Sequence, residues 1–205
     1  TLTVSSAASD VYKRQLEISD GSSSASNYSL TGALSMAITK RPVTVTGSKF
    51  YDGTTDAAAS NLTSFTNLVS GETLSLSGNG SVASSAVGSN KSVSHQTLAL
   101  ANGSGAASNY SLGNVTININ KRILSLDGIR AFDGNTTVSS SDISTFGNIV
   151  SEESLTLSGS GTVTNANAGM NKSLTLGSLS LSDGSGNASN YTCLLYTSPS
   201  PRDFG

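Results

Sequence analysis

The sequence predicts an all-β protein made of tandem small β-sandwich repeats, immunoglobulin-like in size and strand number, arranged as an extended array. Three observations carry that prediction. The stretch Lys49-Phe-Tyr-Asp-Gly-Thr-Thr55 returns as Arg130-Ala-Phe-Asp-Gly-Asn-Thr136, and with the offset held at 81 residues and no gap, about 31 of 72 aligned positions are identical. Such self-similarity marks a repeat architecture before any finer reading is made. Apolar residues also alternate with serine and threonine, as in Val43/Val45, Leu74/Leu76 and Val115/Ile117/Ile119, the period-2 pattern of half-buried strands. Finally, no window between Leu16 and Thr192 places apolar residues at i, i+3, i+4 and i+7, and the abundant Ser, Thr and Gly oppose helix. A unit of about 81 residues with seven to nine short strands is too long for one coil of a β-helix and suits a small sandwich.

Taken in order, residues 16–40 read as the C-terminal remnant of a first repeat. Asn27-Tyr28-Ser29-Leu30 matches Asn109-Tyr110-Ser111-Leu112, and Leu34, Met36, Ile38 match the strand Val115, Ile117, Ile119. Residues 41–120 form a complete repeat. Pro42 stands at the entrance of its first strand, where no ladder hydrogen bond is lost. Asp52-Gly53 then gives the strongest turn signal of the unit, since glycine takes a positive φ without steric cost. Strands follow around Leu74/Leu76, Val82, Val93 and His95, Leu98/Leu100, Tyr110 and Val115–Ile119. Turns are expected at Gly78-Asn-Gly80, Gly88-Ser-Asn-Lys91 and Asn102-Gly-Ser-Gly105. Residues 121–192 repeat the pattern and stop before its last strand. The core of each unit rests on Leu, Val and Ile with one or two rings, Phe65 and Tyr110 in one and Phe146 and Tyr191 in the next.

The ends differ in composition. Ser5–Gln15 and Cys193–Asp203 resemble translated sequencing adaptors: GATGTGTATAAGAGACAG encodes Asp10–Gln15, and its reverse complement in a shifted frame encodes Cys-Leu-Leu-Tyr-Thr-Ser, residues 193–198. Residues 1–15 and 193–205 are therefore set aside from fold reasoning. Adaptor residues Leu194, Leu195 and Tyr196 stand where the second repeat needs its last strand, and their β propensity suits them to pair there.

The remaining stretch, 16–192, holds eight basic and eleven acidic residues and no cysteine. That mild negative charge disfavours nucleic acid and anionic membranes as partners, and no apolar run approaches a membrane span. A disulfide scaffold and thiolate metal sites are excluded for this stretch.

Candidate chemistry is thin. Lys91 and Lys172, each after an asparagine, together with Glu72 and Glu153 have the residue types of a lysine–asparagine–acid isopeptide bond. That bond needs an apolar core, whereas both lysines read as turn residues and Glu72 as exposed. Asp52, Asp133 and Asp56 lack calcium-loop spacing, and Asp56 becomes Thr137. Glu72 and Asp52 have no spacing that implies a glycosidase pair. His95 is the sole histidine, so neither a serine triad nor a histidine metal cluster can be assembled. No cofactor, metal or catalytic residue is expected. The structural motif residues are Tyr51, Asp52 and Gly53 with Phe132, Asp133 and Gly134 at the turns. Asn109, Tyr110, Asn190 and Tyr191 complete the set, each tyrosine placing its ring in the core and its hydroxyl on a backbone partner.

The ordered set Lys-Arg, Tyr/Phe-Asp-Gly-x-Thr, Leu-x-Leu-Ser-Gly, Gly-x-Asn-Lys, Leu-x-Leu and Ala-Ser-Asn-Tyr resembles the YDG repeat domain of large bacterial exoproteins of the filamentous-haemagglutinin and adhesin type. The resemblance covers nearly all of Leu16–Thr192. It implies an extracellular or surface-displayed bacterial protein in which non-catalytic repeats form a stalk. Its partners would be the neighbouring repeats of the chain, with host or surface glycans and proteins met through other domains. Phe132 in place of tyrosine departs from the motif and removes a hydroxyl. The alternative expectation is a carbohydrate-binding module of a secreted enzyme, which exposed aromatics on one face would favour.

Overall fold

The computed structural model describes residues 20–28 and 35–193. The chain divides into two units, Thr1–Thr39 and Lys40–Gly205. In the first, the described residues form one short 3-10 turn, Ala25–Asn27, closed by the Tyr28 N–H donating to Ala25 O at 3.1 Å. The strand predicted from Met36 and Ile38 is not formed in residues 35–40, and both side chains are exposed. Alternation alone does not make a strand, because the ladder needs a neighbour to satisfy its N–H and C=O groups. Ser5–Gln15 and Leu194–Asp203, including the expected pairing of Leu194, Leu195 and Tyr196, lie outside the described residues.

The second unit holds both repeats, and among the described residues it contains strands and 3-10 turns only. In the first repeat the strands are β1 (Arg41–Phe50), β2 (Asp56–Ala58), β3 (Ser64–Thr66), β4 (Leu74–Ser77), β5 (Asn79–Val82), β6 (Gly88–Ser94), β7 (Ala99–Asn102) and β8 (Tyr110–Asn120). Six of them make one sheet in the order β2-β5-β6-β8-β1-β3, and β4 and β7 form a separate antiparallel pair. The centre of the large sheet is β8, parallel to β1 and antiparallel to β6.

Sequence explains that placement. Val115, Ile117 and Ile119 alternate on β8, all three are buried, and they join Val45, Ala57, Leu62, Val82 and Val93 in one cluster. Tyr110 at the start of the same strand joins Val43 and Leu74 in a second cluster, backed by Phe65, Leu68 and Leu100. Burying each such aliphatic side chain is worth about 1.5–3 kcal/mol, so one strand supplies a large share of the core.

Two local readings change. Gly88-Ser-Asn-Lys91 does not form a separate turn. It lies inside β6, where a register shift between Gly88 and Lys91, with Asn90 at φ 50°, absorbs the turn-type residues as a bulge. His95 is not in a strand but in the turn that follows β6, its carbonyl accepting the Leu98 N–H at 2.6 Å.

The second repeat matches the first strand for strand: β9 (Arg122–Gly128), β10 (Thr137–Ser139), β11 (Ile143–Gly147), β12 (Leu155–Ser158), β13 (Ser160–Val163), β14 (Leu174–Thr175), β15 (Ser180–Asp183) and β16 (Tyr191–Cys193). Among the described residues its strands pair in the orders β10-β13-β14 and β11-β9-β16. The counterpart of β8 is β16, which among the described residues pairs parallel to β9 with Tyr191 opposite Arg122 and Cys193 opposite Leu124. The described residues of the second repeat line a groove of about 550 Å³, bounded by Leu126, Val138, Ile143, Val163 and Leu174. At the offset of 81, these residues are the counterparts of Val45, Ala57, Leu62, Val82 and Val93.

Candidate functional site

The Tyr-Asp-Gly segment follows β1 and is tied to the end of β8 by the Tyr51 N–H, which donates to Asn120 O at 2.9 Å. Asp52 Oδ1 accepts both the Thr54 N–H and the Thr54 hydroxyl at 2.9 Å, a side-chain-closed turn whose central residue here has positive φ. Gly53 supplies that angle at 80°. The same carboxylate receives Lys49 Nζ at 2.9 Å, and the ammonium also donates to Thr54 O at 3.0 Å and Thr54 Oγ1 at 3.1 Å. Lys49 is 8% exposed, so its charge is held inside the turn by a full set of acceptors. Burial pushes the Asp52 carboxyl up, but the hydrogen bonds from Lys49 and Thr54 outweigh it and hold the group below the usual carboxylate range.

The second repeat keeps the device with different atoms. Asp133 Oδ1 accepts the Asn135 N–H at 2.9 Å, Gly134 has φ 79°, and Arg130 Nη1 donates to Asp133 Oδ2 at 2.9 Å in place of lysine. The Asn135 N–H, followed by the charge of Arg130, lowers the Asp133 carboxyl in turn.

What this turn positions is the ring of Tyr51, which packs against the following repeat. Its ring stands edge-on to Tyr191, with centroids 5.4 Å apart and planes at 81°, a geometry the ring quadrupoles favour. Its hydroxyl donates to Glu153 Oε1 at 2.5 Å, while the Tyr191 hydroxyl donates to Glu153 Oε2 at 2.5 Å. One carboxylate therefore joins two tyrosines that lie in different repeats.

Three more contacts cross the same joint. Arg122 Nη1 donates to Tyr51 O at 3.3 Å, the Val87 N–H donates to Asn190 Oδ1 at 3.0 Å, and Val150 lies against Gly53, where an added Cβ would meet Val150 Cγ1 at 3.0 Å. The remaining Arg122 nitrogens are fixed on Asn148, Nε to its backbone oxygen at 2.5 Å and Nη2 to Oδ1 at 2.9 Å. The apolar cluster runs continuously through the joint from Ile119 and Tyr51 to Leu124, Leu155 and Tyr191. Burial first, and then the Glu153 carboxylate, pushes the Tyr51 hydroxyl up to about 12. The same two causes, in the same order, push Tyr191 to about 12, so both hydroxyls are strongly held as donors.

The other predicted residues fall around this joint. Tyr110 is buried, its hydroxyl accepts the Val69 N–H at 3.2 Å as the backbone reading expects, and it also donates to Glu72. Glu72, expected to be exposed, and Glu153 are half-buried partners of tyrosines, because the turns at Val69–Glu72 and Val150–Glu153 fold each carboxylate back over the ring. That engagement separates them from the lysines: Lys172 Nζ instead donates to Asn165 Oδ1 at 2.6 Å. Phe132, the counterpart of Tyr51, is 68% exposed. Among the described residues, no group of three or more Asp, Glu, His or Cys is placed to hold a metal. Glu72 and Glu153 were missed as tyrosine partners because no apolar neighbour in the sequence marks them as packed. Their retention in both repeats was a usable signal, since Asp56 and Lys49 both change at the same offset.

Against known families, the model of the YDG domain matches residues 38–117 and 123–200 of the chain. No curated protein and no solved structure matches it.

Proposed function

We propose that the chain, which belongs to the YDG domain family through both of its repeats, is a non-catalytic spacer segment in the stalk of a secreted or surface-displayed bacterial adhesin. The observation that carries this reading is the Tyr51–Glu153–Tyr191 joint. A spacer must transmit orientation from one module to the next, and the joint combines a continuous apolar core with directional hydrogen bonds to a shared carboxylate. Stability of repeat arrays is the sum of unit and neighbour terms, and a sparse unit core makes the neighbour term important. The turn that aims Tyr51 uses its own charged groups, Asp52 and Lys49, to close upon each other. They serve the geometry of the turn.

The test uses the parent gene in its host. Antibodies raised against the two repeats should label intact cells, and deleting both repeats should shorten the distance at which the parent protein engages its target without abolishing engagement. Labelling only after cells are broken, or loss of an enzymatic turnover upon deletion, would contradict the reading.

A further inference from the structure

The joint has two sides, and the receiving side occurs twice in the chain. On the second repeat it consists of Arg122, Asn148, Val150, Glu153, Asn190 and Tyr191. At the offset of 81, these are Arg41, Asn67, Val69, Glu72, Asn109 and Tyr110, identical at all six positions. The giving side has drifted, with Phe132 for Tyr51 and Ala168 for Val87.

The six residues of the first repeat are already set in the receiving geometry. Arg41 Nε donates to Asn67 O at 2.8 Å and Nη2 to Asn67 Oδ1 at 3.0 Å, as Arg122 does on Asn148. Tyr110 takes the Val69 N–H and binds Glu72 Oε2, as Tyr191 takes the Val150 N–H and binds Glu153 Oε2. The atoms that cross the joint in the second repeat are the ones without a hydrogen-bond partner among the described residues here: Arg41 Nη1, Glu72 Oε1 and Asn109 Oδ1. Exposure follows the same pattern. Asn109 is exposed where Asn190 is 5% exposed, and Val69 is 46% exposed where Val150 is half-buried.

We infer that the Arg41–Glu72–Asn109 face is a docking surface for the tyrosine edge of another repeat of the same family. The match of three unused polar atoms to three used ones, in one register, identifies the occupant. Glu72 Oε1 accepts the incoming tyrosine hydroxyl, Arg41 Nη1 donates to that tyrosine's backbone carbonyl, and Asn109 Oδ1 accepts a backbone N–H from the loop equivalent to Val87. The incoming ring stands edge-on to Tyr110. A phenylalanine at that edge leaves Glu72 half-satisfied, so the face selects Tyr-Asp-Gly over Phe-Asp-Gly. This inference rests on reading the chain as part of a repeat array.

The experiment inserts a second copy of residues 40–120 between Thr39 and Lys40 of the full chain, which reproduces the Asn120-Lys121-Arg122 junction as Asn120-Lys40-Arg41. Native-state hydrogen exchange of the original 41–120 unit is then compared in the natural and extended chains. Asn109→Ala should leave protection unchanged in the natural chain and lower it in the extended one. Glu72→Gln should lower protection about ten-fold more in the extended chain than in the natural one, as expected for a hydrogen bond to a charged group. Tyr→Phe in the added copy should abolish that excess. Equal effects of Asn109→Ala and of Glu72→Gln in both chains would overturn the inference. If they are equal while Tyr51→Phe still weakens the existing joint, docking is particular to this pair of repeats and the stalk reading stands.

Discussion

Removing one oxygen at the joint tests whether it carries energy. Tyr51→Phe keeps the ring and therefore the edge-on contact with Tyr191, and deletes only the donor to Glu153 Oε1 at 2.5 Å. Tyr51 is 5% exposed, so water cannot fully replace the lost partner. A hydrogen bond to a charged acceptor contributes about 1.5–3 kcal/mol, which sets the expected loss. For a folded unit of this size, that corresponds to a fall in melting temperature of roughly 3–12 °C. The assay is urea unfolding of the full chain, followed by circular dichroism and by tyrosine fluorescence. Glu153→Gln and the double variant complete a cycle whose coupling term should itself exceed about 0.5 kcal/mol. Because the two residues belong to different repeats, weakening the pair should also broaden the transition as the repeats begin to unfold separately. Phe132→Tyr serves as the control, and its exposure predicts a change within about 0.5 kcal/mol. A Tyr51→Phe protein as stable as the parent, or a coupling term near zero, would refute the assignment of the joint.

The remaining predictions draw on the turn, the core and the tyrosines. Gly53→Ala and Gly134→Ala face the same positive φ, 80° and 79°, but only the first would press a Cβ against Val150; both should cost about 1 kcal/mol in strain, with Gly53→Ala the more costly by urea midpoint. Ile117→Ala removes a fully buried side chain of β8 from the core cluster, and calorimetry should show a loss of about 2–5 kcal/mol. Tyr51 and Tyr191 have folded values raised from 10.0 to about 12, so folding favours their protonated forms; the stability they contribute is complete below pH 10 and is lost as pH rises toward 12. Urea midpoints across that range should fall, and fall less in the Tyr51→Phe, Tyr191→Phe double variant.

Much of the fold was legible because it is local arithmetic. The offset of 81 carries every strand of the first repeat onto one of the second, and alternation at Val43/Val45 and Val115–Ile119 identifies the buried faces. Pairing order was not legible: that β8 lies between β1 and β6, parallel to one and antiparallel to the other, depends on long-range packing that period-2 patterns do not encode. The joint was hidden for a related reason. Comparing repeats aligns Tyr51 with Phe132 and Glu72 with Glu153, whereas the joint connects Tyr51 to Glu153 across 102 positions, a pairing of non-equivalent residues. Glu72 looked exposed beside Ser70 and Gly71 because a turn that folds its carboxylate onto a tyrosine leaves no hydrophobic trace in the sequence. Lys91 misled in the opposite direction, since a bulged strand and a turn use the same glycine and asparagine.

The central claim is that adjacent repeats are held in one fixed orientation by the Tyr51–Glu153–Tyr191 joint. Backbone residual dipolar couplings of the full chain, fitted separately for residues 41–120 and 122–193, measure it most directly. The two repeats of the parent chain should share one alignment tensor, and those of the Tyr51→Ala, Glu153→Ala variant should have distinct tensors. Distinct tensors in the parent chain would contradict that claim.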